Sequence, residues 1–344
     1  MKKFRNLVLA ALILCLLAGC AVAGGAPEPT IYQASFLTLF DTVTVIKGPA
    51  ESEKAFGDTA QLIHDELLRY HQLFDIYNDY EGLNNLKTVN DQAGIAPVTV
   101  DQAIIDLLTD CKDYYKLTGG KVNVAMGSVL HLWHVARNEG LDDIAKARLP
   151  DMEQMEAASA HTDIGCIVID EEASTVYISD PETRLDVGAV AKGWAAQRAA
   201  EIAPEGWLLS VGGNVCATGP KYEGTPWVIG VRDPEGAADD YLHTLYVSGG
   251  SVVTSGDYQR TYMVEGKFYH HIIDPETLMP SEYWRSVTII CEDSGLADAL
   301  STALFLMDQE HGQRLLEQCG AEAMWVDGAG NCFYSPGFRN NIRT

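Results

Sequence analysis

The spacing of apolar residues along the first half of the chain predicts one strand and two long helices. Residues 35–48 alternate β-branched side chains with polar ones, which is typical of a strand. Residues 51–72 and 101–118 repeat apolar side chains at helical spacing. A polar connection is expected over 75–98, and acidic helical pieces are expected over 139–162.

The second half of the chain is richer in strands. Helices are expected over 190–203 and 294–308, and a short helix followed by strands over 310–344. Short strands are predicted at 166–169, 175–178, 207–211, 227–232, 243–247, 251–254, 267–273 and 286–291. Because the strands mostly follow one another through turns, the pattern predicts an α+β fold with an antiparallel sheet. No clear linker divides residues 35–344, which we treat as one domain.

The start of the chain has the pattern of a targeting segment, residues 1–19. Three basic residues within the first five precede an apolar run that is shorter than the ~20 residues of a transmembrane helix. The order L-A-G-C then resembles the bacterial lipobox and predicts lipidation of Cys20. That anchor would hold the protein at the cell membrane, facing outside the cytoplasm. The alternative is an ordinary signal peptide that happens to contain Cys20. Residues 20–34 are predicted to form a flexible tether.

The charge balance narrows the classes of partner. The 344 residues include 24 Lys+Arg against 48 Asp+Glu, a formal net charge of −24. Residues 1–19 contain three of the cations and no acid, so their removal would leave −27. Such acidity argues against nucleic acid, whose phosphates are bound by clustered Lys and Arg. An anionic ligand would need a local source of positive charge, such as a metal ion, a helix N-terminus or a few cationic side chains.

Three segments combine small and polar residues in a way that is typical of binding sites. D-V-G-A-V-A-K, from Asp186 to Lys192, brings a carboxylate and a cation to a helix start, whose free N–H groups suit a phosphate. S-V-G-G-N lacks the G-x-G-x-x-G spacing of a Rossmann site. The third joins T-S-G-D-Y to H-H-I-I-D-P. Because neighbouring strand residues point to opposite faces, we expect at most one of His270 and His271 to serve a given site. The alternatives are a plain capped helix, tight turns and ordinary polar residues.

A fourth segment, A-D-A-L-S-T, predicts a metal ligand pair. Asp298 and Thr302 lie four residues apart and therefore share one face of a mostly apolar helix. A buried carboxylate needs a partner, and a hard cation such as Mg²⁺ takes carboxylate and hydroxyl oxygens. The alternative is that Asp298 bonds a neighbouring turn. His131 and His134 have no third ligand nearby and are interpreted as surface or groove histidines.

The cysteines carry no metal or redox motif. Six of them follow Cys20, widely spaced and without a C-x-x-C pair. Both disulfides and buried free thiols remain open from the sequence.

Taken together and in this order, the segments resemble the ApbE family of FAD:protein FMN transferases. The resemblance rests on D-V-G-A-V-A-K-G-W-A, S-V-G-G-N, T-S-G-D-Y, H-I-I-D-P and A-D-A-L-S-T-A, and it extends over about residues 36–340. It implies a T-fold-like antiparallel core with flanking helices. It also implies Mg²⁺-dependent transfer of FMN from FAD to a Thr or Ser hydroxyl of an acceptor flavoprotein, such as a subunit of a redox-driven ion pump, with release of AMP.

The resemblance also implies roles for individual residues. The Mg²⁺ ligands would be Asp298, Thr302 and the backbone carbonyl of Ala189. The FAD contacts would be Phe40, Tyr77, Lys121, Val122, Asn123, Asp186, Lys192 and Ile273. Phe40 stands where the family often has Met, and Asn123 where many members have Asp. His271, before the I-D-P turn, is our candidate for proton transfer or phosphate contact, and Asp257 and Asp274 are further candidate bases.

Two other functions stay open from the sequence. An FAD pyrophosphatase would use the same metal site and pass FMN to water. A lipid-anchored flavin-binding protein would bind without turnover and would not need the pair Asp298 and Thr302.

Overall fold

The computed structural model describes residues 30–237, 240–258 and 260–344. Within these ranges the helices are α1 (Glu53–Leu73), α2 (Leu86–Asp91), α3 (Gln102–Leu117), α4 (Gly127–Asp142), α5 (Met152–Ser159), α6 (Ala191–Ile202), α7 (Ser294–Phe305) and α8 (Gln309–Cys319). The strands are β1 (Thr30–Phe36), β2 (Thr44–Ala50), β3 (Val98–Thr99), β4 (Ile167–Asp170), β5 (Thr175–Ile178), β6 (Leu208–Val211), β7 (Asn214–Ala217), β8 (Trp227–Arg232), β9 (Tyr241–Val247), β10 (Gly250–Gly256), β11 (Tyr262–Val264), β12 (Lys267–Tyr269), β13 (Ser286–Cys291), β14 (Glu322–Val326) and β15 (Cys332–Tyr334).

An eight-stranded antiparallel sheet forms the centre of the fold. Its strand order is β1-β2-β6-β7-β10-β13-β14-β15. A tight turn at Gly212 and Gly213, with φ of 60° and 94°, joins β6 to β7. Positive φ at both positions is the conformation of a two-residue hairpin turn, and glycine adopts it without strain. The predicted α+β class with an antiparallel sheet and flanking helices is confirmed.

The two faces of the sheet bury different layers. α1, α6 and α7 pack on one face and form the main core with residues such as Leu209, Val253 and Ile289. The β8-β9 hairpin covers the other face, where Leu208 and Val252 point. Neighbouring strand residues thus serve opposite cores, as the pleat requires. A third, smaller core joins α4, α5 and β11.

Side-chain caps explain where many helices begin. Ser52 accepts the N–H of Ala55 at the start of α1, and Asp293 accepts the N–H of Leu296 at the start of α7. Each cap satisfies a backbone donor that the helix itself leaves unpaired. No helix within the described residues is long and apolar enough to cross a membrane.

Several predicted boundaries in the first half of the chain need correction. The single strand predicted over 35–48 is two strands, β1 and β2, because the chain turns back near Phe40 and Asp41 with φ of 52° and 53°. Residues 30–34, assigned to the tether, belong to β1. The connection over 75–98 contains α2, and α4 was not predicted. The rest of the tether, the signal segment and Cys20 lie outside the described residues, so lipidation stays a prediction.

Boundaries in the second half change less. The strand predicted over 267–273 ends at Tyr269, which forms the last pair of the β11-β12 hairpin with Tyr262. The helix predicted over 294–308 ends at Phe305. The six described cysteines are free thiols.

Candidate active site

A cleft with a volume of about 420 Å³ lies where α4, the start of α6, the end of β10 and α7 meet. It brings together predicted residues from five separate segments of the chain. Those that line it are Tyr77, Lys121, Val122, Asn123, Asp186, Ala189, Lys192, His271, Ile273, Asp298 and Thr302. Phe40, Asp257 and Asp274 do not line it.

The floor of the cleft is the contact between α6 and α7. The N–H of Gly193 would bond the Ala189 carbonyl in a regular helical turn, but it donates instead to Asp298 Oδ2 at 2.8 Å. A Cβ built on Gly193 would lie less than 3.0 Å from the Ser294 carbonyl oxygen and from Asp298 Cβ. Glycine at this position is therefore what allows α7 to carry its carboxylate against the start of α6.

Asp298 is a buried carboxylate with incomplete charge compensation. Its side chain is about 5% exposed, and its nearest cation, Lys192 Nζ, lies 3.6 Å from Oδ2. Burial raises the pKa of Asp298, while Lys192 and the Gly193 N–H oppose that rise. Burying a carboxylate whose nearest cation is this far away is costly unless a further positive charge binds beside it.

The oxygen donors beside Asp298 fit a hard cation. Thr302 follows Asp298 by one turn on α7 and also lines the cleft. Among the described residues, neither the Thr302 hydroxyl nor the Ala189 carbonyl takes part in a hydrogen bond. Carboxylate, hydroxyl and carbonyl oxygens are the donor set that Mg²⁺ accepts. No cluster of three His, Cys, Asp or Glu side chains is found in the described part of the chain, which leaves this mixed set as the candidate.

The loop before α6 forms the adjoining wall. Asp186 Oδ1 accepts the N–H of Gly188 at 2.8 Å, which fixes the tight turn into the helix. Val190, at the N-cap of α6, makes no side-chain cap. Lys192 Nζ lies 3.4 Å from the Gly188 carbonyl oxygen. The wall therefore presents a lysine, whereas the N–H groups of Val190, Ala191 and Gly193 at the start of α6 are already bonded within the fold.

Lys121 and Asp274 form an ion pair at the edge of the cleft. The Lys121 Nζ lies 3.2 Å from Asp274 Oδ1 and 2.9 Å from Glu276 Oε1. Burial works to lower the pKa of Lys121. The hydrogen bonds that its ammonium donates to Glu276 and Asp274 outweigh this effect, so the pKa is raised. Asp274 Oδ1 also accepts the N–H of Glu276 and closes the Asp-Pro turn. Asp274, a candidate base, is thus placed behind Lys121 and positions it.

Asp257 is also turned away from the cleft. Its Oδ2 accepts the Nε–H of Arg285 at 2.8 Å, and Arg285 bonds Glu235 as well. Burial raises the pKa of Asp257 although Arg285 opposes the rise. Of the three candidate bases, the structure brings only His271 to the cleft wall.

Both neighbouring histidines line the cleft, contrary to the expectation from strand alternation, because β12 ends before them. His270 Nδ1 accepts the N–H of Ile272 at 3.2 Å, so its Nε2 carries the proton and donates to the Ser281 carbonyl at 2.8 Å. Burial lowers the pKa of His270. Both its ring nitrogens are thus used within the fold. His271 is exposed at the cleft.

Asn123 and Phe40 have mainly structural contacts. Asn123 Nδ2 donates to the Thr162 carbonyl at 2.8 Å, and its Oδ1 accepts the N–H of Ala125 at 2.9 Å. An aspartate could not make the first of these bonds. Phe40 donates its N–H to His71 Nδ1 at 3.2 Å and packs its ring on the same histidine. Its neighbour Asp41 reaches the cleft instead.

The outer wall combines Tyr77 and His134 with two arginines that were not predicted from the sequence. Tyr77 stacks on His134 with ring centroids 5.2 Å apart and an interplanar angle of 25°. Burial raises the pKa of Tyr77 to about 12. Arg137 and Arg260 line the same end of the cleft. His134 and Arg137 share a face of α4, and that helical spacing was the signal available in the sequence.

Comparisons with known proteins agree with this arrangement. The sequence model described as "ApbE family" matches residues 38–325. An FAD:protein FMN transferase of Klebsiella pneumoniae (strain 342) is 32% identical over 266 residues, covering 74% of this chain and 80% of the relative. One from Treponema pallidum (strain Nichols) is 29% identical over 333 residues, covering 91% of this chain and 89% of the relative.

Solved structures show the same fold. The crystal structure of the ApbE protein from Thermotoga maritima has a TM-score of 0.81 at 32% identity, covering 92% of this chain and all of that one. The flavin transferase ApbE from Vibrio cholerae has a TM-score of 0.72 at 22% identity, covering 90% of this chain and 99% of that one. At that lower identity the likeness concerns the fold alone.

Proposed function

Because the chain belongs to the ApbE family, we propose that it is an FAD:protein FMN transferase. It moves the FMN part of FAD to a Thr or Ser hydroxyl of an acceptor flavoprotein and releases AMP. The observation that carries the proposal is the cleft itself, which joins a buried Asp298, a lysine at a helix start and an exposed aromatic ring. These are partners for a metal, a diphosphate and a flavin respectively.

Asp298, Thr302 and the Ala189 carbonyl would hold Mg²⁺. The unsatisfied oxygens and the raised pKa of the buried carboxylate support this assignment. When bound, Mg²⁺ would neutralise charge on the diphosphate, which is the main requirement of phosphoryl-type transfer.

The protein's own groups have separate tasks. Lys192 binds the diphosphate from the wall beside Asp298. Lys121, held by Asp274, adds a second cation at the edge of the cleft. His271 lies exposed on the cleft wall and accepts the proton of the acceptor hydroxyl at an imidazole nitrogen.

The proposal extends to the location of the enzyme. Lipid on Cys20 anchors it to the cell membrane, with the catalytic domain outside the cytoplasm. The net charge of −24 repels an anionic membrane surface, so the lipid rather than surface charge would hold the protein there. Its acceptor is a flavoprotein that is reached from the same side of the membrane.

Release of AMP from FAD tests the metal site. We expect Mg²⁺-dependent AMP release from the wild type and its loss in Asp298→Ala. Asp106→Ala is the matched control, because Asp106 is an exposed helical aspartate whose side chain accepts a hydrogen bond from Gln102. Full activity of Asp298→Ala at low Mg²⁺ and saturating FAD would disprove the assignment.

A further inference from the structure

Two arginines of the outer wall have no role in the proposed chemistry so far. Arg137 on α4 and Arg260 before β11 both line the cleft. Burial and the charge of Arg260 both lower the pKa of Arg137. Neither pairs with a carboxylate within the ranges that the structure describes.

This arrangement is unusual for the chain. With 48 acidic residues against 24 basic ones, carboxylate partners are abundant. Each of the other described arginines contacts a carboxylate, an aromatic ring or a backbone carbonyl. Two arginines that line one cleft without a carboxylate partner offer donors to a ligand that supplies acceptors.

The same wall offers a planar platform. The Tyr77 ring is packed on His134, and the residue as a whole is 53% exposed and lines the cleft, so a planar ligand can stack on the ring. Arg137 Nη2 donates to His134 Nδ1 at 3.2 Å. Since a guanidinium cannot accept a hydrogen bond, His134 is the acceptor here and is neutral. The histidine thus fixes both the tyrosine ring and the first arginine.

We propose that Arg137 and Arg260 bind the carbonyl-bearing pyrimidine edge of the isoalloxazine ring while Tyr77 stacks on its face. This inference rests on the proposed function and names the residues that orient FAD. FAD carries two planar ring systems, and the arginines discriminate between them. Isoalloxazine presents two carbonyl oxygens on one edge, which match guanidinium donors. Each of the adenine edges that carries the exocyclic amine, a donor, has only one ring-nitrogen acceptor beside it, so it offers the two arginines fewer acceptors.

Riboflavin is the decisive probe, because it carries the isoalloxazine ring without phosphate or adenine. We would measure riboflavin and FAD affinity by quenching of flavin fluorescence in the wild type, Arg137→Gln and Arg260→Gln. Arg314→Gln is the control, since Arg314 forms an exposed ion pair with Glu310 on α8. Arg260 is exposed, so its variant should fold even if Arg137→Gln is destabilised.

We expect each cleft variant to bind riboflavin about tenfold more weakly, with the control unchanged. The reduction potential of the bound flavin should also fall, because a positive charge beside the pyrimidine edge stabilises the reduced ring. Adenosine monophosphate, tested in competition with FAD, should bind equally to all four proteins.

Three results would overturn the inference. Weaker FAD binding with unchanged riboflavin binding would assign the arginines to phosphate. Unchanged binding of both flavins with reduced acceptor modification would assign them to the acceptor protein. In either case a wild type that still transfers FMN leaves the proposed function standing. A wild type that binds no flavin and releases no AMP would reject both proposals.

Discussion

The substitution Gly193→Ala tests how the fold builds the metal site. An added Cβ would lie less than 3.0 Å from the Ser294 carbonyl oxygen and from Asp298 Cβ, and 3.1 Å from Asp298 Cγ. Real Cβ atoms essentially never come that close to backbone atoms. The variant must therefore push α7 away from α6 and move the Asp298 carboxylate off the Gly193 N–H.

The magnitude follows from three contributions. Overpacking at a tight helix contact costs about 1–3 kcal/mol. Losing a hydrogen bond to a charged group costs about 1.5–3 kcal/mol. Replacing glycine by alanine in a helix returns at most about 1 kcal/mol. The balance is a destabilisation of roughly 2–4 kcal/mol, which in a domain of this size corresponds to a fall in Tm of several degrees.

The assay combines thermal unfolding with Mg²⁺ titration of AMP release. We expect a lower Tm and at least about a tenfold higher Mg²⁺ requirement, because displaced oxygens bind the cation less well. The control is Gly57→Ala in α1, where an added Cβ meets nothing within 4 Å. That variant should be unchanged or up to about 1 kcal/mol more stable. A Gly193→Ala protein with wild-type Tm and wild-type Mg²⁺ dependence would refute the reasoning.

Three further predictions concern other parts of the structure. Lys121→Met should lower the free energy of unfolding by about 3 kcal/mol, because it leaves Asp274 buried without its cation. Adding Asp274→Asn should recover much of that loss. Urea unfolding measures both variants, and a double variant no more stable than the single one would contradict the account. Burial lowers the pKa of His270, so the unfolded chain binds a proton that the folded protein resists, and stability should fall as the pH drops below about 6.5. His270→Gln should flatten that slope in unfolding curves across pH, whereas an identical slope would mean that other groups cause it. In native protein, iodoacetamide should label the half-buried cysteines well before the buried ones, as mapped by mass spectrometry, because the reagent reaches half-buried thiols more readily. Equal labelling rates would argue against the described burial. The half-buried cysteines are Cys166, Cys319 and Cys332, and the buried ones are Cys111, Cys216 and Cys291.

The parts of the site that the sequence predicted lie on regular elements or in motifs. Asp298 and Thr302 were paired through helical spacing, and α7 places both at the cleft. Asp186 and Lys192 were predicted at a helix start, and α6 begins between them. In each case a short stretch of sequence was enough, because the two residues lie within seven positions of each other.

The missed features depend on contacts between distant segments. Arg137 and Arg260 come from different elements, and only the fold brings them to one wall. The helix that carries Arg137 was overlooked because its N-cap, Met126, makes no side-chain cap. The break at Phe40 was hidden by a β-branched pattern that continues on both sides of it. Asp257 and Asp274 have suitable chemistry, but ion pairs with Arg285 and Lys121 hold them elsewhere, and pairing of this kind cannot be seen in a linear sequence.

The most direct test of the central claim is a stoichiometric measurement. Purified enzyme, FAD, Mg²⁺ and a flavoprotein acceptor are incubated, and AMP release is compared with the intact mass of the acceptor. We predict one AMP released for each FMN gained by the acceptor, and neither product with Asp298→Ala. AMP and free FMN without any gain in acceptor mass would mean that water is the acceptor and the enzyme is a pyrophosphatase. No AMP from the wild type would contradict the account altogether.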